Sequence, residues 1–144
     1  MLFPVLTVTH IVLVTAGYIG FIALNAWVLV LARDKNPSIV LAGLRAWRRL
    51  VRIFGPVLGL GVLAGFADAV YAGFSLTSLW LVGAYVLIVL SACTQAALMV
   101  PWQLRAEGAI ARGETLSTRP IAALIALFFI FYVTITSLMF IRPV

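Results

Sequence analysis

"LTVTHIVLVTAGYIGFIALN", residues 6–25, decides the fold. These twenty residues include no Lys, Arg, Asp or Glu, and as a helix rising 1.5 Å per residue they cover about 30 Å, the hydrocarbon thickness of a bilayer. Apart from Tyr18, the only ionisable side chain in the run is His10, the sole histidine of the chain. The remaining residues agree with a membrane setting. Of 144 residues, 65% are hydrophobic and 10% charged, with a mean hydropathy of +1.20, whereas soluble proteins carry about 25% charged residues. The chain therefore reads as an all-α integral membrane protein, and its length allows one helical bundle over 1–144 without a second domain.

Four apolar stretches are long enough to cross: about 4–31, 55–74, 78–101 and 120–141. The first lacks the basic leader and small-residue cleavage site of a signal peptide, and it is expected to stay in the mature protein. Basic residues near span ends are retained on the cytoplasmic side. Arg33, Lys35, Arg45, Arg48, Arg49 and Arg52 lie between spans one and two, and Arg105, Arg112 and Arg119 lie between spans three and four. Only Arg142 falls at the other end. This distribution predicts a bacterial-type inner membrane protein with both termini on the outer, periplasmic side. The net charge of +6 is accounted for by topology, so no nucleic-acid partner is implied.

Between spans one and two, Asn36 and Pro37 form a helix start, as a side-chain cap followed by a residue whose missing N–H costs nothing there. Arg45, Arg48, Arg49 and Arg52 then recur at i, i+3, i+4 and i+7 on one face. With Ile39, Leu50, Ile53 and Trp47 on the opposite face, residues 37–53 are predicted to form an amphipathic helix in the cytoplasmic interface. There the arginines meet anionic lipid headgroups. Gly55 and Pro56 are expected to end this helix and turn the chain into the membrane. In span two, Gly55 and Gly59, then Gly61 and Gly65, each have the G-x-x-x-G spacing that lets helices approach closely. The pairs lie on different faces, which predicts neighbours on both sides of that helix. Cys93, inside an apolar run, reads as a small core residue.

Asp68 is the only carboxylate within a span, and an intramembrane charge must pair, face the bundle or reach an interface. His10, Asp68, Tyr85, Thr134, Thr136 and Ser137 all fall in the outer half, so a polar cluster is expected there. Ser91, Thr94 and Gln95 form a second polar set on span three, nearer the cytoplasm. The simplest role for His10 is a hydrogen bond to Asp68, a threonine or a backbone carbonyl.

His10, Gly17, Gly20 and Asn25 in the first span, the glycine-broken start of the second, "LWL" (79–81) opening the third and "VPWQLRAE" (100–107) closing it resemble the four-span bacterial membrane proteins grouped as domain-of-unknown-function family 2269. A first-span histidine followed by glycines is also distantly similar to copper-resistance D-like proteins and to J-type membrane protoporphyrinogen oxidases. That similarity implies a haem or metal role for His10. A six-coordinate haem needs a second axial ligand, which would come from a second copy, from Met99 or Met139, or from a partner chain. A bacteriochlorophyll-type ring with five-coordinate magnesium would need His10 alone.

No Ser–His–Asp set, acidic pair or metal-spaced cluster is present to suggest an enzyme. Two readings follow. One is a cofactor-free structural or assembly subunit, working with other membrane subunits or as a homo-oligomer. The alternative is a tetrapyrrole-binding protein with His10 as axial ligand, the ring being haem or bacteriochlorophyll.

The charge distribution makes a testable statement about topology. On a Cys93→Ala background, single cysteines at Ser75 and Ser117 should be labelled by an impermeant thiol reagent from opposite sides of the membrane, Ser75 from outside. Labelling of both from one side would contradict four crossings.

Overall fold

The computed structural model describes residues 2–141, with side chains from Pro4 onward. Among these residues there is no strand. The helices are α1 (Leu2–Leu31), α2 (Pro37–Tyr71), α3 (Leu79–Thr94), α4 (Val100–Ala111) and α5 (Arg119–Ile141). A single π-helical segment, Gln95–Met99, joins α3 to α4 without a break. Four helices, counting Leu79–Ala111 as one, are long and apolar enough to cross a membrane. They identify a multi-pass helical membrane protein. The loops at 32–36 and 112–118 lie together at the end that carries the arginines, called the basic end below. Arg142 lies outside the described residues.

The helix start at Asn36 is as predicted: its side chain accepts from Ser38 N at 3.0 Å, and Pro37 occupies the first turn. The turn expected at Gly55 and Pro56 does not form. Instead, α2 runs unbroken through Pro56 for 35 residues, about 52 Å. Proline disfavours a helical conformation in the residue before it partly through that residue's Cβ. Gly55 has none. Burial supplies the positive reason for continuity, because Val40, Gly43, Leu44 and Trp47 recur at helical spacing and are all buried. Of the apolar face expected there, Trp47 is buried and Leu50 partly so, whereas Ile39 and Ile53 are exposed. Rather than standing alone as a separate helix, residues 37–53 are the basic-end half of α2.

This half packs on α4. Gln103 Nε2 donates to Leu44 O at 3.4 Å and to Glu107 Oε1 at 3.1 Å, while Arg48 lies 3.7 Å from the same carboxylate. Arg45, Arg49 and Arg52 stay exposed. The π-helical segment makes this packing possible. Leu81, Ala84 and Ser91 are buried before it and Met99, Trp102, Gln103 and Ala106 after it, whereas Leu98 is exposed. One inserted residue rotates the buried stripe so that α4 continues to face the bundle. At the loop that follows, Trp102 Nε1 donates to Ser117 O at 3.0 Å. Arg112 forks onto Glu114 at 2.6 and 3.1 Å, holding that exposed carboxyl below the usual carboxylate range.

Close approach of α1 and α2 organises the bundle. A Cβ at Gly17 would lie 2.9 Å from Leu58 Cβ, one at Gly20 within 2.3 Å of the Phe54 ring, one at Gly43 at 2.2 Å from Leu31, and one at Gly61 at 2.8 Å from Val14 N. The glycines thus alternate between the two antiparallel helices, each receiving a side chain or backbone from the other. Gly55 and Gly59 have nothing within 4 Å, so α2 packs in the membrane on one side only. Cys93 is likewise exposed rather than in the core, because it lies two residues from the buried Ser91 and helical spacing turns it to the other side.

On its other flank α1 meets α5 through rings. Phe21 stacks on Phe128 with centroids 6.0 Å apart, and Tyr18 meets Phe128 edge-on at 6.3 Å and Tyr132 at 5.5 Å. Such pairs contribute about 0.5–1.5 kcal/mol beyond area burial. Tyr18 also shares a 3.0 Å hydrogen bond with Ser91 of α3. One turn and two turns further toward the basic end, the amides of Gln95 and Asn25 are buried with no hydrogen-bond partner for either polar atom.

Two outcomes follow from this packing. Gly59→Ala should raise stability by about 0.5–1 kcal/mol, through helix entropy at an open site, whereas Gly65→Ala should lower it by about 1–3 kcal/mol, because its Cβ would sit 2.4 Å from the His10 ring. Thermal unfolding in detergent reads both, and equal effects would overturn the packing assigned here. Asn25→Leu should raise the unfolding midpoint, since removing two unsatisfied buried atoms of similar volume saves about 1–3 kcal/mol; a lower midpoint would mean that the amide is satisfied.

Candidate functional site

The site is a consequence of how the four crossings pack. Helix α1 packs along α2 and on α5, and α3 packs on α5, but α2 and α3 hardly touch within the crossing. The ring contact between them there is a tilted pair, Phe66 and Tyr85, with centroids 6.2 Å apart. At the end away from the arginines the gap between them is a cavity of about 570 Å³. Its walls are mostly aliphatic and aromatic, with His10, Thr7, Asp68, Tyr85, Tyr132 and Thr136 supplying the polar groups. A largely apolar hollow of this size with a few convergent polar groups has the character of a small-molecule site.

His10 is seated by the glycines of α2. Its ring lies over Gly65, where any Cβ would fall 2.4 Å from Cε1 and Nδ1, and Nδ1 is 2.7 Å from Gly61 O. A carbonyl can only accept, so Nδ1 carries the proton of this bond. In the neutral ring the lone pair is then on Nε2, which makes no hydrogen bond. A histidine held this way has its tautomer and ring plane fixed by the backbone, the arrangement that prepares an imidazole to ligate. The second glycine pair of α2 thus has a definite use: Gly61 offers the acceptor and Gly65 the space.

Asp68 does not bond to His10. Its Oδ1 accepts from Thr7 Oγ1 at 2.9 Å, one turn of α1 away from the imidazole. Of the three partners open to His10 from the sequence, the backbone carbonyl is the one used. Both side chains nevertheless face the same cavity.

The expected polar cluster is assembled in part. His10, Asp68, Tyr85 and Thr136 line the cavity. Thr134 and Ser137 do not: both are exposed on the outer face of α5, and Thr134 Oγ1 donates to Ile130 O of its own helix at 2.8 Å. Their place is taken by residues the sequence did not assign to this cluster. Thr7 holds the carboxylate, Thr15 Oγ1 and Tyr132 OH lie 3.4 Å apart, and Met139 adds a thioether to the wall. The inner stripe of α5 runs through Leu124, Phe128, Ile135 and Met139, and reading that span at helical spacing would have selected Met139 and rejected Thr134. Tyr85 OH is buried without a hydrogen-bond partner, so a second polar group of the cavity is available to a ligand.

A bare metal ion is poorly served by this donor set. Among the described residues no group of three or more His, Cys, Asp or Glu side chains could hold one. One imidazole nitrogen at the wall of an apolar hollow suits a ligand that brings its own metal and needs one or two protein donors. Met99, the other methionine considered for such a role, is buried beside the π-helical segment, away from this cavity. Comparison with known proteins gives no match to this chain among family models, curated proteins or solved structures.

Proposed function

We propose that this chain is a tetrapyrrole-binding protein of the bacterial cytoplasmic membrane, with both termini outside and His10 Nε2 as the axial ligand in the outer half of the bundle. The observation that carries the reading is the imidazole itself, fixed through Nδ1 to Gly61 O at 2.7 Å and leaving Nε2 for a ligand at the wall of a 570 Å³ cavity. The similarity of the first span to haem-associated membrane proteins points the same way. When bound, the ring would supply redox or light-absorbing chemistry that no side chain of the cavity supplies. The chain contributes the donor nitrogen, an apolar enclosure, and Tyr85 OH as a hydrogen-bond donor. Acidic substituents on the ring would have to reach water past Asp68, so they are expected to be esterified or turned outward.

At the opposite end, Arg45, Arg49 and Arg52 are free to meet anionic headgroups of the cytoplasmic leaflet, each contributing about 1 kcal/mol near such a surface. Arg48 is committed to Glu107. A purely structural or assembly subunit would need neither a fixed imidazole nor a cavity.

The test is a visible spectrum of the protein purified in mild detergent, with added haemin if the preparation is pale. A Soret band that stays with the protein and is lost in His10→Ala is expected. A colourless protein that takes up no tetrapyrrole overturns the reading, and co-migration with stoichiometric partner proteins would then favour the subunit.

A further inference from the structure

Resting on the tetrapyrrole reading, we infer that the ring is a haem and that Met139 is its second axial ligand. The sequence alone does not give the depth of Met139, but two contacts do. Tyr18 and Ser91 are hydrogen-bonded at 3.0 Å, and α1 and α3 run in the same direction, so eight residues back from each places His10 level with Gly83. A Cβ at Gly83 would lie 3.4 Å from Leu138 Cδ1, which brings the adjacent Met139 to within a turn of His10's level on α5. The cavity wall includes both His10 and Met139. One stands on α1 and the other on α5, so the two donors approach from different walls.

The other candidate donors are committed or unsuited. Asp68 accepts from Thr7, and Tyr132 OH lies 3.4 Å from Thr15 Oγ1. Tyr85 OH has no partner, and a phenol must give up its proton to ligate, for which no acceptor stands within hydrogen-bond distance. Met139 needs no proton loss. A thioether is a soft donor that binds iron and is indifferent to magnesium, which prefers oxygen. Its presence at the level of the imidazole therefore distinguishes a haem from a five-coordinate magnesium ring. Histidine–methionine ligation also raises the reduction potential relative to ligation by nitrogen alone.

The experiment uses the haem-loaded protein in detergent, with His10→Ala, Met139→Leu, Met139→His and Tyr85→Phe. The wild type should be six-coordinate and low-spin in its visible spectrum. Met139→Leu should keep the haem but become five-coordinate and high-spin, opening a site that added imidazole fills. Met139→His should restore the low-spin spectrum with a lower midpoint potential in a redox titration, and Tyr85→Phe, which removes the hydrogen bond assigned to the phenol, should weaken haem retention while the bound haem stays six-coordinate and low-spin. A low-spin wild type whose spectrum and potential survive Met139→Leu overturns the assignment of Met139 and leaves His10 as ligand. A spectrum altered by Tyr85→Phe in its place assigns the position to the phenol. If no tetrapyrrole binds at all, this inference fails together with the reading on which it rests.

Discussion

The distance between the α1 and α2 backbones sets everything else. In a bilayer no hydrophobic driving force pushes helices together, so association rests on close packing and on the few polar groups that cannot face lipid. Here the two helices meet through Gly17 and Gly20 on one side and Gly43, Gly61 and Gly65 on the other, and at all five positions even a methyl group would fall within 3 Å of an atom of the opposite helix. That closeness brings His10 to a backbone carbonyl in the first place. In a helix the Gly61 carbonyl is ordinarily engaged within its own backbone, and a ring from a neighbouring helix reaches it only where no side chain intervenes. The same seam fixes the register of Thr7 against Asp68.

Tight packing on one side of the bundle goes with looseness on the other. Because α2 gives its glycine face to α1 and leaves Gly55 and Gly59 open, it has no comparable surface for α3, and the ring contact between the two within the crossing is a tilted pair. The cavity is that missing helix contact, and Tyr132, which also packs on Tyr18, forms part of its wall. At the basic end the order reverses: the π-helical segment turns α4 toward α2, and Gln103, Glu107 and Arg48 link them. The molecule is firm at one end and hollow at the other.

Helix content, the four crossings and the capped start at Asn36 are legible in the sequence because they rest on composition, length and local chemistry. The inner faces are harder to read. In a soluble helix the apolar side is the buried side, but in a membrane both lipid and core are apolar, so Ile39 and Ile53 look as much like core as Val40 and Leu44 do. Polar residues are better markers only when read with the helical repeat: Thr136 faces the cavity, while Thr134 satisfies its hydroxyl on Ile130 O and faces outward. The continuity of α2 through Pro56 was hidden for a different reason. Proline is a local signal for a break, and it was outweighed by burial of Trp47 and Leu44 against residues distant in sequence.

The separation of His10 from Asp68 matters most for what the cavity can do. A carboxylate bonded to Nδ1 would draw the proton toward itself and give the ring more imidazolate character, raising the basicity of Nε2. A peptide carbonyl orients the ring equally well but is a weaker acceptor. Thr7 keeps the carboxylate one helical turn away, where its charge still faces the cavity. The glycine seam therefore decides more than how closely two helices pack. By supplying a carbonyl where a carboxylate could have served, it decides which group orients the His10 ring.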